Sequence, residues 1–122
     1  MNTNDNVKIL RIYISSTDKH EHTPLYETLV FAARNNGIAG AMVHKGIMGY
    51  GSSSVVHSAK FWETNDKLPV IVEIIDESQK IEAFLEKIGP ILENMRYGCL
   101  VTLQDAHVLM SKTGRKKTVF GS

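Results

Sequence analysis

Pro69-Val70-Ile71-Val72-Glu73-Ile74-Ile75-Asp76 is the stretch that decides the fold of this 122-residue chain. It is rich in β-branched residues and is bounded by a proline and an aspartate, which is typical of a strand inside a sheet. Residues 8–15 predict a second strand, because apolar and polar side chains alternate there and leave one face buried. Residues 41–47 predict a weaker strand. The short apolar runs 100–103 and 106–110 predict a last strand or a split pair.

Two helices are predicted between these strands. Thr23 and Pro24 favour the start of the first helix, as its N-cap and first helical residue. Gly37 is expected to end that helix as its C-cap glycine. The second helix is expected to run through Gly89-Pro90 without a break, because its apolar residues stay in helical phase across that pair, and to end at Gly98.

The element order is therefore β-α-β, a long connector, and β-α-β. This order predicts the α+β class and a ferredoxin-like βαββαβ sandwich, in which an antiparallel sheet carries both helices on one face. The other face of the sheet would be bare in a monomer, and Ile9, Tyr13 and either Val72 or Ile74 are assigned to it. Because exposed apolar patches mark interfaces, we expect a homo-oligomer that packs sheet to sheet.

Composition indicates one domain over residues 1–122, with flexible tails at 1–6 and 113–122. The chain is 43% hydrophobic and has a net charge of +1, so it offers no general attraction to nucleic acid or to anionic membranes. Its only cysteine is Cys99, which excludes an internal disulfide and is interpreted as a small core residue. No apolar run approaches the roughly 20 residues of a membrane helix, and the cytoplasm is the expected location.

The connector at residues 46–68 is the most unusual segment, because loops beyond about 12–15 residues are usually functional or disordered. It begins with Gly46-Ile47-Met48-Gly49-Tyr50-Gly51-Ser52. Ser52 stands where a P-loop requires lysine, which argues against an ATPase. Glycine-rich backbone at a strand end can still hold an anion, and Gly51 is expected to adopt a positive φ. Phe61 and Trp62 either dock a partner or fold back onto the domain.

Other chemistry is less well supported by the residue pattern. Asp18, His20 and His22 lie close in the sequence, but no histidine spacing typical of a metal site is present, and no metal residue is predicted. No catalytic residue is predicted, because no arginine or paired acid–base group stands out. The basic cluster near the end of the chain, which includes Lys112 and Arg115, suits phosphate contact from the edge of the sheet.

These features together resemble the PII-like superfamily, and more closely its uncharacterised branch, the PII-like domain of unknown function. The resemblance covers roughly residues 7–110. It depends on a set of short stretches in a fixed order, namely residues 11–14, 24–27, 45–52, 57–60, 68–73, 98–103 and 112–114.

The resemblance implies a trimer that binds a nucleotide or another small anionic effector in the clefts between subunits. It also implies that the long connector, called the T-loop in that superfamily, contacts a membrane transporter or an enzyme. The residues expected at the ligand are Gly49, Tyr50, Gly51, Ser52, Gly98, Lys112 and Arg115.

Two departures from the PII pattern are visible in the sequence. Residues 101–104 occupy the region of the glycine-lysine phosphate loop, and Met110 replaces a basic residue. No cofactor is expected. A trimeric metal-binding stress protein of the CutA-like kind is the main alternative, and a small hydrolase of the acylphosphatase type shares the same fold, so fold alone does not choose among the three.

Overall fold

A computed structural model describes residues 6–51, 56–58 and 67–114 of the chain. The sheet consists of β1 (Val7–Ser15), β2 (Gly40–Lys45), β3 (Pro69–Glu77) and β4 (Leu100–Ala106). Helix α1 (Leu25–Asn35) lies between β1 and β2 in the chain, and helix α2 (Ser78–Glu93) lies between β3 and β4. The strands are antiparallel and their order is β2-β3-β1-β4. The predicted α+β, ferredoxin-like arrangement is confirmed.

The core lies between the two helices and one face of the sheet. Its centre is the pairing of β1 with β3, which runs without a break from Val7–Glu77 to Ser15–Pro69. Alternate residues of these strands are buried, as period-2 alternation requires, and the helices cover them with residues at helical spacing. The buried side chains at the centre of this cluster are Leu10, Ile12, Leu25, Leu29, Val72, Ile74, Ile81, Phe84 and Ile88.

The open face of the sheet differs from the prediction in β3. Val72 and Ile74 are fully buried against the helices, so the assignment of either residue to the open face is wrong. Their neighbours Ile71, Glu73 and Ile75 face the other way, because a shift of one residue exchanges the two faces of a strand. Ile9 and Tyr13 pair with Ile75 and Ile71, and those two assignments are confirmed.

Helix α1 begins one residue later than the sequence predicts. Pro24 has φ −52 and ψ 130, so it is the extended residue before the helix and not its first turn. Thr23 makes no side-chain cap, and Thr23–Pro24 pairs instead with Lys19–His20 in a two-residue ladder. The Thr-Pro pair is typical of a helix N-terminus. Here the pairing of Thr23–Pro24 with Lys19–His20 keeps both residues extended, so the helix begins after them.

The end of α1 is confirmed at Gly37, which has φ +71. The Gly37 N–H donates to the Arg34 carbonyl at 3.2 Å, and the Ile38 N–H donates to the Ala33 carbonyl at 3.0 Å. This pair of hydrogen bonds is the Schellman motif, which requires a left-handed residue at the position of Gly37.

Helix α2 continues through Pro90, as predicted, but it ends at Glu93 and not at Gly98. The Asn94 N–H still bonds the Pro90 carbonyl at 3.1 Å, and Asn94 itself has left the helical conformation. A loop of residues 94–99 therefore precedes β4. The last strand is one unbroken element, Leu100–Ala106, and the predicted apolar run 106–110 forms no strand.

A tight hairpin precedes α1 and carries backbone strain. Glu21 and His22 have φ values of 48 and 71, and both lie between the paired residues Lys19–His20 and Thr23–Pro24. Two successive positive φ values are those of a type I′ turn, which favours Asn-Gly. Glu21 and His22 are exposed, so the strain is not offset by burial of their side chains.

Replacing His22 with glycine should stabilise the fold. Relief of left-handed strain is worth about 1–2 kcal/mol, and the added chain entropy of glycine costs about 0.5–1 kcal/mol. The expected net gain is up to about 1.5 kcal/mol, or a few degrees in Tm, measured by urea and thermal unfolding. Lys19→Gly is the control, since Lys19 has a negative φ, and it should destabilise. Equal losses in both variants would contradict the strained-turn assignment.

Candidate functional site

The connector returns to the sheet beside the end of β1, and two hydrogen bonds hold it there. The Ser16 N–H donates to the Leu68 carbonyl at 2.9 Å, and the Leu68 N–H donates to the Ser16 hydroxyl at 3.0 Å. Leu68 is buried, so the returning segment is anchored by one backbone–backbone bond, one bond to the Ser16 hydroxyl and an apolar side chain.

The connector leaves the sheet against Pro69, and this contact explains its first two glycines. The Gly46 N–H donates to the Pro69 carbonyl at 2.8 Å. A Cβ atom on Gly46 would lie 2.9 Å from Pro69 Cγ, and one on Gly49 would lie 3.3 Å from it. Both glycines therefore allow the backbone to approach the proline ring closely, which a larger residue would prevent.

The described part of the connector then doubles back on itself. Met48–Gly49 pairs antiparallel with His57–Ser58, and Tyr50 between them is 70% exposed. Gly49, Tyr50 and Gly51 thus lie at the base of the connector, and their contact with a ligand stays a prediction. Ser52, Phe61, Trp62 and Arg115, which are also predicted site residues, lie outside the described residues.

The expected positive φ at Gly51 is wrong. Among the described glycines only Gly37 has a positive φ, and a Cβ atom on Gly51 would meet nothing within 4 Å. The steric demand in this turn lies at Gly46, where the backbone touches Pro69. Spacing of glycines in a sequence does not reveal which of them faces a neighbouring chain segment.

A basic aromatic cluster occupies the loop before β4, next to the predicted ligand residue Gly98. The Lys67 Nζ atom lies 4.7 Å from the centre of the Tyr97 ring, and the Arg96 guanidinium carbon lies 5.4 Å from it. Tyr97 is 55% exposed, so both cations remain accessible to an anion while the ring supports them. We call Lys67, Arg96 and Tyr97 the cationic cluster.

Sequence reasoning missed the cationic cluster for an identifiable reason. It placed the phosphate-loop region at residues 101–104, but these residues lie inside β4. The loop with that position in the fold is residues 94–99, because α2 ends at Glu93. Once the helix end is known, the two residues before Gly98 are the obvious candidates to contact a ligand.

The predicted ligand residues lie on different strands of one protomer. Gly49 lies beside Pro69 at the start of β3, whereas Gly98 precedes β4, and the two strand spacings from β3 to β4 amount to about 10 Å. Lys112 is exposed and follows β4, whose last residue, Ala106, pairs with Val7. Pro69 pairs with Ser15 at the other end of β1, so the glycine turn and the exit from β4 lie at opposite ends of the sheet.

Cys99 is exposed, so its interpretation as a core residue is wrong. Partial burial of the thiol and the negative charge of Asp18 raise the pKa of Cys99 above its ordinary value. A raised pKa keeps the thiol protonated near neutral pH, and the thiolate is the reactive form. The surroundings of Cys99 therefore do not favour nucleophilic chemistry.

Among residues 6–51, 56–58 and 67–114, no three His, Cys, Asp or Glu residues are grouped so as to hold a metal ion. Asp18, which lies near two histidines in the sequence, is buried and accepts a hydrogen bond from the Ser15 N–H at 2.8 Å. Its carboxylate is committed to the turn after β1. No helix in the same described ranges is long and apolar enough to cross a membrane.

Comparison with known sequences identifies relatives over most of the chain. The DUF190 family model, described as "Uncharacterized ACR", matches residues 7–108. A UPF0166 protein of Aquifex aeolicus is 38% identical over 102 residues, which cover 84% of this chain and 92% of the relative. A UPF0166 protein of Methanocaldococcus jannaschii is 35% identical over 106 residues, which cover 87% of this chain and 94% of the relative.

Comparison with solved structures identifies the fold as PII-like. CPII, a nitrogen regulatory PII-like protein from Thiomonas intermedia K12, was solved with ADP, AMP and bicarbonate bound. It superposes with a TM-score of 0.57 at 16% identity, over 83% of this chain and 88% of that chain. CPII bound to ADP, AMP and acetate gives a TM-score of 0.56, also at 16% identity, over 82% and 85% of the two chains. The predicted resemblance to PII-like proteins is confirmed at the level of the fold.

Replacing Gly46 with alanine should destabilise the protein by about 1–3 kcal/mol, the usual cost of overpacking, because the new Cβ would overlap Pro69. Gly51→Ala is the matched control in the same turn and should change stability by less than about 0.5 kcal/mol. Urea unfolding of both variants measures the difference. If Gly51→Ala costs more than Gly46→Ala, the contact with Pro69 does not determine the glycine pattern.

Proposed function

The chain belongs to the DUF190 family, and from this membership and the geometry above we propose that it is a PII-like regulatory protein. It binds a small anionic effector between subunits and contacts a target protein through the connector. The observation that carries the proposal is the cationic cluster, which lies beside Gly98 where the connector returns to the sheet.

Charge and exposure favour an anion as the effector. Lys67 and Arg96 place two positive charges on one exposed aromatic ring, and no described carboxylate pairs with either of them. Guanidinium and ammonium groups bind phosphates and carboxylates by charge-assisted hydrogen bonds. The CPII structures hold ADP and AMP, so an adenine nucleotide is the first ligand class to test on this chain.

The position of the chain that leads to Lys112 supports a site shared by two subunits. It leaves β4 at Ala106, opposite Val7, whereas the glycine turn lies beside Pro69, opposite Ser15 at the other end of β1. In this proposal the Gly49-Tyr50-Gly51 turn and Ser52 of one subunit meet Gly98, Lys112 and Arg115 contributed across the interface, with the cationic cluster added to that set.

The open face of the sheet supports assembly into a trimer. Met42 and Leu100, two large apolar side chains on this face, are 60% and 58% exposed. Between them Arg11 donates to Glu73 at 3.0 Å and also bonds Gln104. An apolar surface with a paired charge at its centre suits burial against another copy, because the charge already has its partner.

A regulatory role rather than catalysis agrees with the chemistry of the site. The cationic cluster can bind and orient an anion, but the described residues around it offer no general base. Effector binding would bias the conformation of the connector through Lys67, which is one residue from the anchored Leu68. Such control requires the effector to bind the two connector states with different affinity. Phe61 and Trp62 are the proposed contacts with a transporter or enzyme.

The protein should be a trimer in solution. Light scattering after size exclusion is expected to give about three times the 13.6 kDa chain mass. Met42→Lys should dissociate the trimer. In the monomer the new ammonium would lie beside Glu73 in contact with water, whereas in the assembly it would be buried, which costs free energy. Phe31→Glu changes an equally exposed apolar residue on α1 and should leave the mass unchanged. A monomeric parent protein would contradict the proposed assembly.

ADP and AMP should raise the melting temperature of the trimer, and calorimetry should give a saturable affinity. Arg96→Ala and Lys112→Ala should each weaken that affinity by about tenfold or more, because a hydrogen bond to a charged group is worth about 1.5–3 kcal/mol. Lys87→Ala is the control, since Lys87 bonds Asn36 away from this loop. Unchanged affinity in Arg96→Ala, with the trimer intact, would exclude the cationic cluster from the site.

A further inference from the structure

A second surface adjoins the proposed anion site and lies between α2 and the edge strand β4. It is a groove of about 810 Å³ whose floor is apolar and includes Leu85, Leu92 and Val101. It exists because α2 packs over the central strands and leaves the helix-side face of β4 uncovered, so that Leu103 on that face is 53% exposed. We call this surface the α2–β4 groove.

One wall of the α2–β4 groove is acidic. Glu82, Glu86 and Glu93 line it at helical spacing along one side of α2 and are exposed. Among the described residues none of these carboxylates forms an ion pair, whereas the two lysines of α2 contact Asp76 and Asn36 elsewhere. The groove thus combines apolar area with three unpaired negative charges, which complements a segment that is both basic and apolar.

The chain itself contains a segment of that composition. Residues 115–122 read Arg-Lys-Lys-Thr-Val-Phe-Gly-Ser, with three cations followed by Val119 and Phe120. The cations of this segment precede its apolar residues. Along α2 from its N-terminal end, the acidic residues Glu82 and Glu86 likewise precede the apolar Leu92, which lies about two turns later. The segment carries the opposite charge to the wall and an aromatic residue for the floor.

The topology brings this segment to the correct end of the groove. β4 ends at Ala106, which pairs with Val7, and Val7 pairs with Glu77, the residue before α2. The chain therefore leaves β4 where α2 begins. Nine residues from Ala106 to Arg115 can span up to about 30 Å, and the helix rise from Glu82 to Glu93 is only about 16 Å.

We propose that residues 115–122 dock intramolecularly in the α2–β4 groove, with Lys116 and Lys117 against Glu82 and Glu86 and with Phe120 on the apolar floor. Exposed ion pairs are individually weak. A tethered segment nevertheless acts at an effective concentration on the order of millimolar, so a weak contact is enough to keep the groove occupied.

Cys99 provides a native probe of this docking, because it lines the groove and is the only cysteine in the chain. The rate of its reaction with Ellman's reagent should rise when residues 115–122 are deleted. The protection factor is one plus the ratio of the effective concentration of the tethered segment, on the order of millimolar, to the dissociation constant of the free peptide. Adding a synthetic peptide of residues 115–122 to the truncated protein should restore protection in a saturable manner, and salt near 1 M, where the screening length is about 3 Å, should weaken it.

A charge reversal tests the acidic wall. Glu86→Lys should accelerate labelling in the full chain, but the new cation would also act directly on the Cys99 thiol. The change in labelling rate caused by Glu86→Lys is therefore measured both in the full chain and in the truncated protein, and the difference between the two changes is compared. Glu27→Lys, on α1, is the matched control and should show no such difference. Combining Glu86→Lys with Lys117→Glu should restore protection.

Other results would overturn the proposal. Equal labelling rates with and without residues 115–122, and no effect of the peptide, would mean that the segment does not occupy the groove. Protection that falls on dilution of the full chain would mean that the segment of another copy binds there. Protection that survives truncation would mean that a different surface covers Cys99. Because none of these measurements uses a nucleotide, their failure is distinct from failure of the proposed regulatory function.

Discussion

The pairing of β1 with β3 is the constraint on which the other features depend. These two strands are adjacent in the sheet although α1, β2 and the connector separate them in sequence, and their shared face supplies the centre of the core. Each crossover from one parallel strand to the next places its helix on the same side of the sheet. The second face is left uncovered as a direct result. The apolar residues on that face are therefore a consequence of the topology, and the Arg11–Glu73 pair gives it a polar centre that is already satisfied.

Both ends of the connector lie at the start of β3. The glycine turn lies beside Pro69, and Lys67, two residues before Pro69, places its ammonium over Tyr97 in the loop before β4. One segment thus touches both the glycine turn and the cationic cluster. In the proposed function, an effector bound at either place would be in contact with the connector.

Much of the fold was predictable, because periodicity reports burial directly. The β-branched run at β3 and the alternation in β1 identified the central strands, and the left-handed requirement at Gly37 identified the end of α1. The predictions that were wrong concern features that tertiary contacts determine. Nothing local indicates that α2 stops at Glu93 instead of Gly98, and this error moved the phosphate-loop region into β4 and hid Arg96. Gly46 must be glycine because the backbone there lies close to Pro69. Pro69 is distant from Gly46 in sequence, so the spacing of the glycines does not reveal this contact.

The two anchors of the connector have a consequence for the evolution of this protein. Hydrogen bonds at Gly46–Pro69 and Ser16–Leu68 close the segment at its base, so residues inserted or removed between them do not alter the strand register. Doubling the length of a closed loop adds only about 0.6 kcal/mol of closure entropy. The sequence and length of the connector can therefore change during evolution without changing the strand register of the sheet. Related proteins that share this scaffold are free to diverge in the length and sequence of this segment.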